Sequence, residues 1–188
     1  DLHDMPQQLY DGKIKKLREK TQGQLIIKEY PTASAHSGHF KSLINELALK
    51  KSFRPDVIFI DYLNICASSR FKGGNISSYF YVKAIAEELR GLAVESNVPI
   101  FSATQTTRTG FVSTDIGLED TSESFGLPAT ADFMFALISN EELEALGQMK
   151  VKQLKNRYND PSVNRAFIVG VDRSKMRLYD VQQKAQEI

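Results

Sequence analysis

The feature that most constrains this chain is the stretch PDVIFIDYLNI, Pro55 to Ile65. Val57 to Ile60 form an apolar, mostly β-branched run without polar alternation. That is the pattern of a strand buried on both faces inside a parallel sheet. Asp61 ends the run. A carboxylate is costly to bury without a partner, and open α/β sheets bind ligands outside the carboxyl ends of their strands. Asp61 is therefore a candidate for work at a strand tip. The alternative is an Asp that opens a loop and caps the next turn.

The rest of the sequence sets strands between helices. A charged segment, Lys13 to Lys20, reads as helix ending near Gly23, and QLIIKEY (Gln24 to Tyr30) as a short strand. Phe40, Leu43, Ile44, Leu47 and Leu49 recur at helical spacing and stop before Pro55. A second helix is predicted from about Tyr79 to Ser96, with Val82, Ile85, Ala86, Leu89, Leu92 and Ala93 on one face. NVPIFSATQ makes the next strand, ending at Thr104 and Gln105. A long irregular stretch, Thr106 to Pro128, separates it from the strand ADFMFALI, and such stretches inside a domain are usually functional loops. A short helix (Glu141 to Gly147) and a strand running into a turn (Met149 to Pro161) follow. RAFIVGV and MRLYDVQ close the chain as a hairpin joined near Asp172 to Lys175. This order predicts one α/β domain over residues 1–188, with a mostly parallel sheet and a C-terminal antiparallel hairpin.

Composition narrows the function classes. With 188 residues, 41% hydrophobic and 25% charged, the chain has the make-up of an ordinary globular domain. A formal net charge of +1 means that any nucleic-acid site is local. The single cysteine, Cys66, excludes an internal disulfide and fits a reducing, cytoplasmic compartment; its place after the strand suits a small core residue. No apolar run approaches the ~18 residues of a membrane span, and the amino end has no signal-peptide pattern.

Three strand ends carry polar residues: Asp61, Gln105, and the group Lys155, Asn156, Arg157. A carboxylate at a strand tip can hold Mg²⁺ through its water shell. A neighbouring amide both donates and accepts hydrogen bonds, so it can sense a γ-phosphate and its water. An arginine from an adjacent subunit stabilises charge on a transferring phosphoryl group, worth roughly 10³–10⁵ in rate. Each signal alone is weak, since a basic cluster is commonly a solvated turn. His36 and His39 sit three apart without Cys or carboxylate to complete a zinc set. Glu87 and Glu88 read as solvated, and the basic excess from Lys150 to Arg177 as a DNA face or a subunit interface.

Order and spacing change the odds. VIFIDYLNI, VPIFSATQTTR, EDTSESFGLPATADFMFALI and VKQLKNRYND, in that order, resemble the carboxyl-terminal RecA-like motor domain of DnaB-type replicative helicases. NELALKK, VKAIAEELRGLAVE and ESFGLPATADFM narrow the resemblance to the primase–helicase subunits of T-even-like bacteriophages, and it covers about Gln24 to Gln182. It implies a RecA-like P-loop ATPase core using ATP and Mg²⁺. It also implies a hexameric ring moving 5′ to 3′ on single-stranded DNA in an infected bacterial cell, with primase and a helicase loader as partners. Asp61 then matches the Walker B acid that organises Mg²⁺, and Gln105 the sensor glutamine. Lys155 and Arg157 match the basic pair that reaches into a neighbour's ATP site, with Asn156 a spacer. The loop from Gln105 to Leu127 would face the channel and grip DNA with Glu123 and Ser124. Here the sequence departs from the family: Ser122 precedes that pair where an Arg is usual, and Phe125 follows it where a Gly is usual. Arg108, Arg70 and Lys72 are candidate substitutes for DNA contact, and Phe111 or Phe125 for base stacking.

No G-x-x-x-x-G-K-[ST] phosphate loop occurs in the sequence, and no acidic residue of the first twenty suits activation of the attacking water. The resemblance puts both elements before Asp1, and DLHDMPQQLYDGK has no initiator Met, so the expectation is a later part of a motor domain, inactive alone. The sheet would then lack its phosphate-loop strand. The sensor strand, Ile100 to Thr104, would offer an unpaired edge that invites self-association or a covering segment. Rival readings are a recombinase-type strand-exchange ATPase on the same core, or a non-catalytic interaction module if Asp1 is the true beginning.

Overall fold

The computed structural model describes residues 4–71, 76–106, 117–118, 126–160 and 162–182. In chain order the elements are α1 (Gln7–Lys20), α2 (Ser37–Lys51), β1 (Ile58–Ile60), a 3₁₀ turn (Leu63–Ile65), α3 (Ser78–Ser96), β2 (Ile100–Ser102), α4 (Gly126–Thr130), β3 (Phe133–Ile138), α5 (Glu141–Ala145), β4 (Gln148–Asn156), β5 (Ala166–Asp172), a second 3₁₀ turn (Arg173–Lys175) and β6 (Arg177–Asp180). They form a two-stranded parallel sheet, β1–β2, and a four-stranded antiparallel sheet in the order β3–β4–β5–β6. The protein is α/β as the sequence predicts, but among the described residues the antiparallel part is the larger.

Helix α3 organises the core. Val82, Ile85, Ala86, Leu89 and Leu92 recur at three- and four-residue spacing, so they share one face of the helix. That face buries Ile85 to 1% exposure in a cluster with Ile60, Leu63, Cys66 and Leu127. Ile58 from β1, Ile100 from β2 and Met134 from β3 pack against the same cluster, so both sheets meet one helix. Asn97, at φ 53°, ends the helix in the left-handed conformation that asparagine tolerates. Cys66 is the small core residue expected, and burial pushes its thiol pKa up.

Three expectations need correction. The run Val57 to Ile60 is not buried on both faces. Ile58 and Ile60 turn toward α3, whereas Phe59 is 72% exposed and stacks on Phe101, ring centroids 5.3 Å apart. Successive side chains of a strand point to opposite faces, and within the described residues only one face of this sheet has a helix over it. Gln24 to Tyr30 is not a strand: among the described residues no ladder partner takes it up, Leu25 and Ile27 are exposed, and Tyr30 instead meets Phe40 edge to face. Leu49 lies off the packed stripe of α2, 86% exposed.

The predicted hairpin is β5–β6, running from Val169↔Asp180 to Asp172↔Arg177. Its turn is held by Asp172, which accepts from Lys175 N, Lys175 Nζ and the Ser174 hydroxyl. Those bonds, the Ser174 hydroxyl first and Lys175 next, bring its pKa down to about 2. Among the described residues β2 pairs with β1 alone, and no helix is long and apolar enough to cross a membrane.

The two faces of β1 should respond differently to truncation. Ile60→Ala, on the covered face, is expected to cost about 3 kcal/mol in denaturant unfolding, because a buried side chain leaves a cavity. Phe59→Ser, on the uncovered face, is expected to cost less than about 1 kcal/mol. Equal losses would contradict the one-sided burial.

Candidate functional site

The parallel register Ile58↔Ile100, Phe59↔Phe101, Ile60↔Ser102 brings the carboxyl ends of β1 and β2 side by side. Beyond it the two chain segments are laced together. Ser102 Oγ donates to the Ile60 carbonyl at 2.8 Å, Leu63 N to the Ala103 carbonyl at 3.1 Å, and Thr104 Oγ1 to Asn64 Oδ1 at 2.8 Å. Gln105 Nε2 donates to the Tyr62 hydroxyl at 3.3 Å. Buried Leu63 anchors the turn, and Asp61 stands exposed at the tip. The structure therefore sets Asp61 and Gln105 at neighbouring strand ends, with Gln105 bonded to Tyr62, the residue after Asp61.

The donor set at that tip suits a hydrated divalent ion. Carboxylate, hydroxyl and amide oxygens are hard ligands, and Mg²⁺ keeps several waters while using one or two carboxylates. Among the described residues no group of three His, Cys, Asp or Glu side chains forms a metal cage. His36 and His39 are occupied in a helix cap. His36 Nδ1 accepts from Gly38 N at 3.0 Å, and His39 Nδ1 accepts from His36 N at 3.2 Å.

The basic pair sits at the end of β4, on the other sheet. Lys155 Nζ donates to the Pro128 and Ala129 carbonyls at 2.6 and 3.3 Å. Burial, then the nearby Arg157 charge, lowers the Lys155 pKa. Arg157 pairs with Asp132 at 2.5 Å, and its backbone N–H donates to the Asp132 carbonyl at 3.0 Å. Arg90 of α3 reaches the same Asp132 oxygen at 2.7 Å and the Thr130 carbonyl at 2.6 Å. Asn156 is more than a spacer: its Oδ1 accepts from Tyr158 N and Asn159 N at 3.0 and 3.1 Å and so builds the turn. Among the described residues no bond links Asp61 or Gln105 to Lys155 or Arg157; Gln105 bonds to Tyr62, Lys155 to α4 and Arg157 to Asp132.

Of the candidate DNA contacts, Arg70 is described, and Glu87 pairs with it at 2.6 Å. Lys72, Arg108, Phe111, Glu123, Ser124 and Phe125 lie outside the described residues.

Glu88 is the correction of most consequence here: it is 9% exposed, not solvated. Its carboxylate accepts from the Ser68 hydroxyl (2.6 Å), the Ser69 amide (2.9 Å) and hydroxyl (2.7 Å), and the Ser37 hydroxyl (3.0 Å). Burial alone would raise its pKa; these donors, Ser68 foremost, outweigh that and bring it to about 2. The clamp joins α2, α3 and the segment that leaves the strand tip. A signal was present, since Glu88 follows Ile85 by three and precedes Leu92 by four, on the apolar stripe.

No family model matches the chain. Solved structures match its fold. One solved ATPase domain superposes with a TM-score of 0.75 at 16% identity, over 96% of this chain and 63% of that one. A DnaB-like replicative helicase, solved with its interactions with primase, gives 0.74 at 16% identity, over 95% and 42%. The fold is that of the RecA-like helicase ATPase domains. In sequence, the chain is 47% identical over 175 residues, 93% of its length, to the DnaB-like replicative helicase of Enterobacteria phage T4. It is a homologue of the DnaB-like replicative helicases, and it spans 37% of that relative's length.

The Glu88 clamp carries a pH dependence. The folded pKa, about 2, lies below the ordinary 4.5, so its stabilisation is present above about 4.5 and is lost as pH falls toward about 2. Glu88→Gln is expected to be less stable than the native chain near neutrality, by on the order of 2 kcal/mol. In acid unfolding the gap should close across that window. A gap that stays constant to the lowest pH would contradict the charged clamp.

Proposed function

We propose that this chain is part of the motor domain of an ATP-driven, 5′-to-3′ phage replicative helicase that moves as a hexameric ring on single-stranded DNA in the cytoplasm of its bacterial host. The observation that carries the reading is the placing of Asp61 and Gln105 at neighbouring strand ends, where Gln105 bonds to Tyr62 beside Asp61, in a chain 47% identical to a phage replicative helicase. Asp61 would hold Mg²⁺, which would supply charge neutralisation for bound ATP. Gln105 reads the state of the γ-phosphate and passes it to the loop that follows. Lys155 and Arg157, at the end of β4 on the other sheet, serve the ATP site of the next subunit.

Arg70 contacts a DNA phosphate by exchanging Glu87 for it. Lys72, Arg108, Glu123 and Ser124 provide the remaining DNA contacts. The phosphate loop is contributed by a part of the complete protein outside this sequence. Primase and a loader are the expected partners; a solved DnaB-like helicase of the same fold is known with its interactions with primase.

In the complete protein, Asp61→Asn, Gln105→Ala and Arg157→Ala are each expected to suppress DNA-stimulated ATP turnover, Arg157→Ala by roughly 10³-fold or more. The chain by itself is expected to show no magnesium-dependent turnover. Native-like rates in the three variants would overturn the proposal, and turnover by the isolated chain would overturn its account of the phosphate loop.

A further inference from the structure

The cations around α4 are arranged in a way that reaches beyond the roles proposed above. The last carbonyls of a helix have no partners within it and carry partial negative charge. In α4 those of Pro128, Ala129 and Thr130 are taken by Lys155 and Arg90. Asp132 lies two residues beyond, and one of its oxygens faces two guanidiniums, Arg90 at 2.7 Å and Arg157 at 2.5 Å. Two cations so close together repel each other unless the group between them is anionic. Arg90 has a second anchor in the Thr130 carbonyl. The side chain of Arg157 is 41% exposed, and Asp132 is its described charge partner.

We infer that Asp132 is the positioning residue for Arg157. Its carboxylate, fixed from the other side by Arg90, sets the direction in which the guanidinium leaves this subunit. The pairing uses one nitrogen of a group with five N–H donors, so the rest of the fork stays available for a phosphate. Through Arg90, which also holds the Thr130 carbonyl, the same carboxylate ties Arg157 to the end of α4, the element that closes the long irregular stretch after β2. The backbone bond from Arg157 N to the Asp132 carbonyl does not depend on that side chain, so neutralising Asp132 frees the guanidinium while leaving the strand end in place. This inference rests on the trans-acting role proposed for Arg157.

The test is a double-mutant cycle in the complete, ring-forming protein, measuring DNA-stimulated ATP turnover. Asp132→Asn is expected to lower kcat at least tenfold and change KM for ATP less than about twofold, as for an interaction made in the transition state. In an Arg157→Ala background it should lower kcat no further. If Asp132→Asn does not assemble, Asp132→Glu keeps the charge on a longer arm. It should cause a smaller kcat loss that again vanishes beside Arg157→Ala. Native kcat in the Asp132 variants, or an equal loss with and without Arg157, would overturn the inference. Native turnover in Arg157→Ala alone would instead remove the role on which it rests.

Discussion

The structure depends on the burial of one stripe of helix α3. Ile85, almost completely enclosed, and its neighbours Val82, Ala86 and Leu89 face residues of β1, β2, β3 and α4 at once. No ladder joins the two sheets in the described residues; contacts through α3, this apolar one and the Arg90 bonds to Thr130 and Asp132, relate them. Fully burying such a side chain is worth about 1.5–3 kcal/mol relative to exposure. The strands that lead to Asp61 and Gln105 are positioned by this stripe.

The same helix carries two charges that do positional work. Glu88 gathers hydroxyl and amide donors from the segment after the first strand tip. Arg90 gathers carbonyl and carboxylate acceptors from the segment after α4. One charge thus secures the exit from the acid-bearing strand, and the other secures the end of the long stretch that begins at Gln105. A carboxylate removed from water is tolerated when its lone pairs are filled by hydrogen bonds, and Glu88 meets that condition. Both sites near the proposed chemistry are therefore braced from a single element.

Much of this was legible in the sequence because it is local. The helical periodicity of α3, the polar residue ending each strand and the turn at Asp172 all depend on neighbours a few positions away. What escaped depends on distant partners. QLIIKEY has the composition of a strand, yet no strand in the described residues pairs with it, and propensity does not supply a ladder. Phe59 belongs to an apolar run, but whether its face is covered is decided by which helices lie over the sheet. Asn156 looked like a gap between two cations because its bonds go to the backbone of the turn that follows. Glu88 was visible as a charge on an apolar stripe; its serines, from two other segments, were not.

The central claim is that the strand-tip acid of one copy and the guanidinium of another complete a single site. Mixed assemblies test it most directly. Complete protein carrying Asp61→Asn is combined with complete protein carrying Arg157→Ala, and DNA-stimulated ATP turnover is followed as the ratio varies, with mixed-ring formation checked independently. Interfaces that join an intact Asp61 to an intact Arg157 arise only in the mixture, so turnover should appear there and peak at intermediate ratios. Mixed rings that form and remain as inactive as either variant alone would contradict the account.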